Sequence, residues 1–503
     1  MSNFRTAQSE AHPSKTSTLL LGVICVLILI VTMQVWLLAA SLNSSLEGQQ
    51  TLKWPAFWAS LALFASGAAL LRYLPLPIRL PIRPIARESF PQAAIAWRTL
   101  GISAVSLALA FAVWFMWSAI PIRLVEAGFP FTRQQLFWLT ATPVLLGSFL
   151  RIPYGLIVSI FGSRKSYAAV TLLLLLPCLA TGLAVRNPQT PYWVLLACAA
   201  LTGIAGANFA TSMSVVTLWF PKQKQGTALG INGLGNLGVT IAQLTIPLVI
   251  GFSLLGAPHP PQPARHVLHI ENAAFVWIPF ILVCAAAIWF GTRDYPVQRK
   301  TLASQLVAAR RGQTWILSTL YFLTFGCFVA MGASLPLIIK EVFGHAPGGA
   351  PSPLLFAPWA VAVATLARPL GGWLADKFGA GRITSISVGA MALGGFSLTA
   401  FLDPKSFAGF FAVILFICAA AGLGNGSIFK IIPLVLPDQT AAAIGIVSCI
   451  GALGGFAPPL LLGWTMDHLG GPAWAYMGMA FFALVCFALN AWHYQRRTSP
   501  TYC

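Results

Sequence analysis

The sequence predicts an all-α membrane protein in which two similar six-helix bundles follow two additional membrane-spanning helices, fourteen in total. Three observations support this fold class. Of the 503 residues, 57% are hydrophobic and only 8% are charged, whereas a soluble domain carries about 25% charged residues. Long apolar segments recur along the whole chain, and the second half repeats parts of the first at a nearly constant spacing. Because so few charges cannot cover a surface in water, a soluble enzyme is excluded and we expect no enzymatic activity.

Fourteen segments are long and apolar enough to cross a bilayer, which takes a helix of about 20 residues. They are approximately 19–42, 54–77, 98–122, 136–160, 166–185, 191–219, 226–254, 273–292, 314–337, 354–375, 384–401, 407–434, 438–464 and 473–494. The first exceeds the apolar region of a signal peptide, so we interpret it as a retained helix, with cleavage as the alternative. The segments divide the chain into an extension (1–90), a first bundle (91–292), a cytoplasmic linker (293–312) and a second bundle (313–503).

The lysines and arginines of the connecting segments predict the orientation of the chain. With the N-terminus placed in the cytoplasm, 20 of them fall on the inner side and 7 on the outer side. Cytoplasmic loops of membrane proteins carry such an excess of Lys and Arg. We therefore expect a multi-pass protein of the cell inner membrane, in contact with lipid and with both termini cytoplasmic. The net charge of +19 then reports topology, and no nucleic-acid partner is expected.

An internal repeat relates the two bundles. Residues 151–162 resemble residues 368–379 at an offset of 217, with Arg, Gly, Phe and Gly at matching places. A second pair, 228–238 and 443–454, matches at offsets of 215 and 216, so one residue is missing from the first copy. Parallel repeats of this kind are typical of major facilitator carriers, whose substrate sites lie near the middle of the membrane between the halves.

Two arginines occupy equivalent places in this repeat and are the main candidates for a binding site. Arg151 and Arg368 lie about 20 Å along their predicted helices, where a charge costs about 2.5–3.5 kcal/mol unless it faces a wet cavity. A carboxylate would ordinarily compensate, but all eleven acidic residues fall in loops or at helix ends. An anionic substrate is the simplest counter-ion. The alternative is that the arginines bond to helix carbonyls and serve packing alone.

Small and polar residues surround these positions in the sequence. Glycines expected to allow close packing and sliding of helices are Gly206, Gly230, Gly235, Gly238, Gly424, Gly451 and Gly454. Asn232 and Asn236 are spaced by one helical turn, as are Tyr321 and Phe325. The nine cysteines stand singly, without the spacing of a zinc site, so we expect neither a metal nor a cofactor.

From about residue 98 to the end, the chain resembles the nitrate/nitrite porters of the major facilitator superfamily. The resemblance is strongest at Ala205–Met213 (AGANFATSM) and continues through Phe220–Val239. It also covers Gly424–Pro433, Gly451–Gly455, the arginine segments at 150–154 and 367–368, and Thr314–Gly326. The first Gly-rich helix departs from the family pattern, because it is one residue short between Asn232 and Gly235.

The resemblance implies transport of nitrate and nitrite by alternating access. It assigns anion binding to Arg151 and Arg368, the two faces of the anion to Phe209 and Phe325, and hydrogen bonds to the anion to Tyr321 and Asn236, with Asn232 as a further candidate. Nitrate/nitrite antiport is the expected mode, since obvious proton carriers are absent from the predicted spans.

Several alternatives stay open at this level. They are proton-coupled nitrate symport, a carrier of another small anion, and a membrane receptor that senses an anion without transporting it. The symmetric repeat of both arginines argues against the receptor, which needs one site and no gate. The two leading helices stand outside the repeat, and contact with a partner protein is one role open to them.

Overall fold

A computed structural model describes residues 58–62, 65–66, 69, 93–220, 222–252, 268–295, 307–344, 351–402, 406–436, 440–496 and 501. The two leading spans predicted at 19–42 and 54–77 lie outside these residues, apart from short helical pieces of the second. The count of fourteen helices is therefore not tested. The described residues contain helices and connections and no strand.

The first bundle runs from α1 to α11. Its helices are α1 (Ala93–Trp114), α2 (Ile120–Leu124), α3 (Arg133–Phe161), α4 (Ser163–Leu172), α5 (Leu175–Ala184), α6 (Tyr192–Leu201), α7 (Gly203–Trp219), α8 (Lys222–Gly233), α9 (Gly238–Val249), α10 (Asn272–Phe275) and α11 (Ile278–Gly291). A 3₁₀ turn at Met116–Ser118 joins α1 to α2, and another at Leu234–Leu237 joins α8 to α9. Several predicted spans are thus built from two consecutive helices.

The second bundle runs from α12 to α18. Its helices are α12 (Gly312–Phe343), α13 (Pro353–Phe378), α14 (Ala380–Leu398), α15 (Phe407–Val435), α16 (Thr440–Leu453), α17 (Ala457–His468) and α18 (Ala473–Asn490), with a 3₁₀ turn at Thr399–Phe401 and a π-helical end at Ala491–Gln495. Eleven helical stretches of the described chain are long and apolar enough to cross a membrane. The stretch Lys222–Val249 is not among these eleven; it carries the amides Asn232, Asn236 and Gln243.

The internal repeat is visible in the backbone as well as in the sequence. Gly162 ends α3 and Gly379 ends α13, and the two residues are 217 positions apart. Both adopt the left-handed region, with φ of 91° and 93°, which favours glycine because it has no Cβ. A Cβ on Gly162 would also lie 2.8 Å from the Oδ1 atom of Asp294. Equivalent glycines therefore make equivalent turns at the same membrane face of each bundle.

The one-residue slip in the repeat coincides with the 3₁₀ turn at Leu234–Leu237. A 3₁₀ turn rises about 2.0 Å per residue against about 1.5 Å for an α-helix, and it has 3.0 residues per turn instead of 3.6. Over four residues it adds about 2 Å of rise and about 80° of rotation. Because a missing α-helical residue removes about 1.5 Å and about 100°, the tighter turn restores most of the lost register.

The two bundles meet along equivalent pairs of helices, α3 with α16 and α13 with α9. The Thr240 hydroxyl donates to the carbonyl of Pro358 (3.1 Å), and the Gln243 Nε2 atom donates to the carbonyl of Gly332 (2.8 Å). Each pair joins a helix that carries a repeated arginine to the Gly-rich helix of the other bundle. The interface thus places both arginines against the opposite half of the molecule.

Ion pairs join the bundles at the membrane face where α3 begins and α12 ends, which we call the Arg133 face. Arg133 contacts Glu341 (Nε–Oε2 2.7 Å) and Asp467 (Nη1–Oδ1 3.0 Å), both in the second bundle. Lys340 contacts Glu126 (3.6 Å) of the first bundle. At the opposite face the ion pair among the described residues, Arg164–Asp294, stays within the first bundle. The Arg133 face is the side that the charge distribution predicts as external.

Candidate anion-binding site

Arg151 is a fully buried cation at the interface between the bundles. Its side chain has no exposed surface. Its Nε atom donates to the carbonyl of Gly206 in α7 (3.4 Å), and Nη1 donates across the interface to the carbonyl of Ser448 in α16 (3.0 Å). Its Nη2 atom is buried without a hydrogen-bond partner among the described residues. The guanidinium is thus fixed by two carbonyls while one donor group stays unused.

Arg368 approaches the interface from the second bundle. Its Nη2 atom donates to the Tyr321 hydroxyl (3.2 Å), while its Nη1 atom is buried with no partner in the described chain. Its Nε atom lies 3.8 Å from the position that a Cβ on Gly233 of α8 would occupy. Gly233 and Ser448 are 215 positions apart, the offset of their segment of the repeat. Each arginine therefore reaches the same position of the opposite Gly-rich helix.

Aromatic rings surround both guanidinium groups. The Cζ atom of Arg151 lies 4.7 Å from the ring centroid of Phe209 and 5.1 Å from that of Phe325. The Cζ atom of Arg368 lies 5.8 Å from Phe209. Phe325 stacks on Tyr321 with centroids 5.0 Å apart and planes 3° from parallel. Phe209, Phe325, Tyr321 and the two arginines, all predicted from the sequence, therefore form one cluster.

This cluster leaves the two positive charges uncompensated by acids. Within the described part of the chain, no hydrogen bond or ion pair joins a carboxylate to Arg151 or Arg368. The faces of the aromatic rings carry partial negative charge and attract cations within about 6 Å. Rings and carbonyls thus stabilise the guanidinium groups without neutralising them.

The two asparagines predicted to share a helix face have different surroundings. Asn232 is the penultimate residue of α8, and its Nδ2 atom donates to the Ser212 hydroxyl (2.8 Å) in a polar network with Ser103. Asn236 lies in the 3₁₀ turn, 2% exposed, and its Oδ1 atom has no described partner. The change from α-helix to 3₁₀ turn at Leu234 alters the angle between them. The Oδ1 atom of Asn232 is likewise buried without a described partner. The two residues therefore differ in the donor group, which in Asn232 is used within the first bundle.

Most of the predicted packing glycines make close contacts between helices. A Cβ on Gly451 would meet the ring of Tyr321, and one on Gly235 would lie 2.8 Å from Leu107. Further glycines without room for a Cβ are Gly206 against Trp114, Gly238 against Ala108, Gly424 against Ser387 and Thr324, and Gly454 against Phe322. Gly230 differs, because a Cβ there would have no neighbour within 4 Å. Its predicted packing role has no contact to support it.

Three residues at the site were not selected from the sequence. Trp114 and Phe429 each have a ring against one arginine, at 5.4 Å from Arg151 and 5.1 Å from Arg368. Ser448 contributes only its backbone carbonyl. With 12% aromatic residues in the chain, a single ring carries little signal, and a carbonyl carries none because every residue has one. Phe429 does lie within Gly424–Pro433, a segment that resembles the porter family, and this is the signal that could have found it.

Comparison with protein-family models and curated proteins gives matches along most of the chain. Residues 102–457 and 361–502 match the model of the Major Facilitator Superfamily, and residues 8–79 match a separate family of unknown function, DUF6755. The nitrate/nitrite transporter NarU of Salmonella typhimurium is 40% identical, covering 80% of this chain and 92% of that protein. The probable nitrate/nitrite antiporter NarK2 of Thermus thermophilus is 39% identical, covering 82% and 95%.

Solved structures show the same fold at low sequence identity. A bacterial homolog of the human lysosomal transporter Spinster, in an inward-facing and unoccupied conformation, has a TM-score of 0.59 and 17% identity. The match covers 79% of this chain and 96% of that chain. It supports the arrangement of the helices from α1 onwards.

Proposed function

Because the chain belongs to the nitrate/nitrite porter family of the Major Facilitator Superfamily, we propose that it transports nitrate and nitrite by alternating access, with exchange of the two anions as its mode. The observation that carries this proposal is the pair of buried arginines, each with an N–H group left without a described partner and neither with a carboxylate. The proposal includes a location in the inner membrane with both termini cytoplasmic.

The chemistry of the site suits a flat, singly charged oxyanion. A guanidinium is a planar fork of N–H donors that matches the oxygens of a planar anion. The unused Nη2 atom of Arg151 and Nη1 atom of Arg368 are the donors for this ion, and the Tyr321 hydroxyl and the Nδ2 group of Asn236 can donate further hydrogen bonds to it. We assign Asn232 a role in helix packing, because its amide donates a hydrogen bond to Ser212.

Phe209 and Phe325 supply the faces of the binding slot. Their ring centroids are 6.2 Å apart and their planes are tilted by 36°. A flat ion stacked between two rings needs about 7 Å, which is two carbon contacts of about 3.5 Å each. The rings must therefore separate slightly when the anion enters, and a tetrahedral or bulkier anion would require a larger movement. This difference favours nitrate and nitrite.

Exchange follows from the repulsion of two like charges. Without a protein carboxylate between them, Arg151 and Arg368 resist the approach of the two bundles, and an anion relieves this repulsion. Interconversion of the carrier is then favoured only when an anion is bound. The carrier returns with nitrite after delivering nitrate, which defines antiport.

Flux measurements in proteoliposomes test this mode. Exchange of one monovalent anion for another moves no net charge. We therefore expect labelled nitrate uptake to require internal nitrite or nitrate and to be insensitive to an imposed membrane potential. Rapid uptake into vesicles without internal anion, driven by a pH gradient, would identify proton symport instead and contradict the exchange mode.

Competition experiments test the substrate class. Nitrite, and to a smaller extent the planar ion formate, should inhibit nitrate exchange, whereas tetrahedral phosphate and spherical chloride should inhibit it weakly. Inhibition by chloride as strong as that by nitrite would show that the site selects charge without selecting shape.

A further inference from the structure

We propose that Trp114 and Phe429 are positioning residues of the anion site, each holding one arginine from within its own bundle. The proposal rests on the proposed function, since the anion is what the arginines are positioned to bind. It concerns residues that do not themselves contact the anion. Their rings act through the guanidinium groups of Arg151 and Arg368.

Trp114 is held rigidly behind Arg151. It is the last residue of α1 and is 1% exposed. Its indole Nε1 atom donates to the carbonyl of Pro143 in α3 (2.9 Å), and its ring packs against Gly206, whose missing Cβ leaves room for it. The Gly206 carbonyl in turn accepts from Arg151. The ring, the glycine and the guanidinium therefore form one packed unit inside the first bundle.

Phe429 has the corresponding place behind Arg368 in the second bundle. The Cζ atom of Arg368 lies 5.1 Å from its ring centroid. The same ring packs against Tyr321 at a centroid distance of 4.9 Å, and the Tyr321 hydroxyl accepts a hydrogen bond from Arg368. Phe429 thus contacts both Arg368 and Tyr321, the residue to which Arg368 donates its hydrogen bond. It restrains the guanidinium directly and also through Tyr321.

An aromatic ring suits this purpose better than a carboxylate does. A carboxylate would form a strong ion pair with the arginine and compete with the substrate anion for the same N–H groups. A ring face attracts the cation without accepting those hydrogen bonds strongly. Trp114 and Phe429 therefore confine each guanidinium and leave its charge available, which Phe209 and Phe325 cannot do alone because they must separate to admit the anion.

The concentration dependence of nitrate/nitrite exchange in proteoliposomes tests the proposal. For Trp114→Leu and for Phe429→Leu we expect KM for nitrate to rise about tenfold, equivalent to about 1.4 kcal/mol and within the range of a desolvated cation–π contact. The maximal rate should change by less than about twofold, since the arginines themselves remain. Trp114→Phe and Phe429→Tyr keep a ring face, and their KM should stay near that of the unchanged protein.

Matched controls separate positioning from packing. Trp117 is as buried as Trp114 and Phe343 is fully buried, and in the described structure neither ring is placed over an arginine. Trp117→Leu and Phe343→Leu should leave KM unchanged even where they lower thermal stability. The proposal is overturned if these controls raise KM equally, or if the ring-retaining variants are as impaired as the leucine variants.

Two further outcomes are decisive. If Trp114→Leu does not fold, Phe429→Leu applies the same test in the second bundle. An unchanged KM in a folded leucine variant, with exchange by the unchanged protein intact, overturns the positioning role and leaves the proposed function standing. Absence of nitrate exchange by the unchanged protein would overturn both.

Discussion

At the scale of single residues, the site depends on donors that the protein leaves unused. Arg151 donates hydrogen bonds to two backbone carbonyls, and Arg368 donates one to the Tyr321 hydroxyl. Each arginine also has one buried nitrogen without a described partner. Such a group is costly in an apolar medium unless a ligand satisfies it. Both guanidinium groups lie near the Phe209 ring, which makes the two free nitrogens candidates for the same anion.

Lysine in place of either arginine should impair the site although the charge is kept. Lysine presents a point charge on a flexible stem and cannot form the planar, two-donor contact. For Arg151→Lys and Arg368→Lys we expect kcat/KM for nitrate exchange to fall more than about tenfold. Arg164→Lys, which alters a cation paired with Asp294 at a membrane face, is the control. Normal exchange by both site variants would disprove the bidentate role of the arginines.

The two asparagines should respond differently to alanine. Asn232→Ala removes a buried hydrogen bond to Ser212, so we expect a loss of about 1 kcal/mol of stability and a KM close to that of the unchanged protein. Asn236→Ala removes a buried amide whose Nδ2 group is available as a donor to the anion, so it should raise KM with little change in thermal unfolding. Equal changes in KM would show that both amides serve the anion.

At the scale of helices, glycines set how closely the Gly-rich helices approach the first helix of each bundle. A Cβ on Gly451 would meet the ring of Tyr321, and a Cβ on Gly235 would clash with Leu107 at 2.8 Å. The two positions are equivalent in the repeat, at an offset of 216. The 3₁₀ turn at Leu234–Leu237 keeps this equivalence despite the missing residue.

A single methyl group at Gly451 should therefore disturb the site through Tyr321. We expect Gly451→Ala to lower the free energy of unfolding by about 1–3 kcal/mol, as overpacking does, and to weaken nitrate exchange by displacing the ring. The matched control is Gly230→Ala, because a Cβ there meets nothing within 4 Å. Thermal unfolding and exchange should both be near normal for Gly230→Ala, and equal losses in the two variants would contradict the packing argument.

At the scale of the whole molecule, the bundles are joined at the Arg133 face by ion pairs. Arg133 forms ion pairs with two acidic residues of the second bundle. Lys340 forms an ion pair with Glu126 and donates a hydrogen bond to the carbonyl of Ile122 (2.6 Å), both in the first bundle. A cavity of about 410 Å³ lies beside these residues. Partly exposed ion pairs contribute about 0.2–1 kcal/mol each. The network therefore favours the conformation that is closed at the Arg133 face, but by an amount small enough for this face to open.

Removing Arg133 should loosen this face selectively. We expect Arg133→Gln to increase amide hydrogen exchange several-fold at the start of α3 and the end of α12, because opening of that face becomes more frequent. Arg164→Gln is the control, since Arg164 pairs with Asp294 inside the first bundle at the opposite face (3.6 Å). Faster exchange at the opposite ends of the same helices, or the same result for Arg164→Gln, would argue against a role in holding the bundles together.

Much of the fold and part of the site could be predicted because the relevant signals are local or repeated. The twelve segments predicted between 98 and 494 are helical over most of their described residues, since each needs only a long apolar run. Arg151 and Arg368 stood out as charges within such runs, and the resemblance then placed Phe209, Phe325 and Tyr321 around them. The structure brings these five residues together. The contact of Trp114 with Arg151 could not be predicted from the sequence, because it depends on how α1 packs against α3 and α7.

The sequence by itself thus determined that this is an all-helical membrane carrier with a duplicated half and two arginines whose charge no nearby acid could balance. Only the tertiary structure decided what those arginines contact, which are the carbonyls of Gly206 and Ser448, the Tyr321 hydroxyl and rings from both bundles. It also separated Asn232 from Asn236 and revealed the ion pairs of Arg133. The physical reason is that hydropathy and repeats are properties of consecutive residues, whereas carbonyl acceptors and ring faces acquire a partner only when helices distant in sequence are packed together.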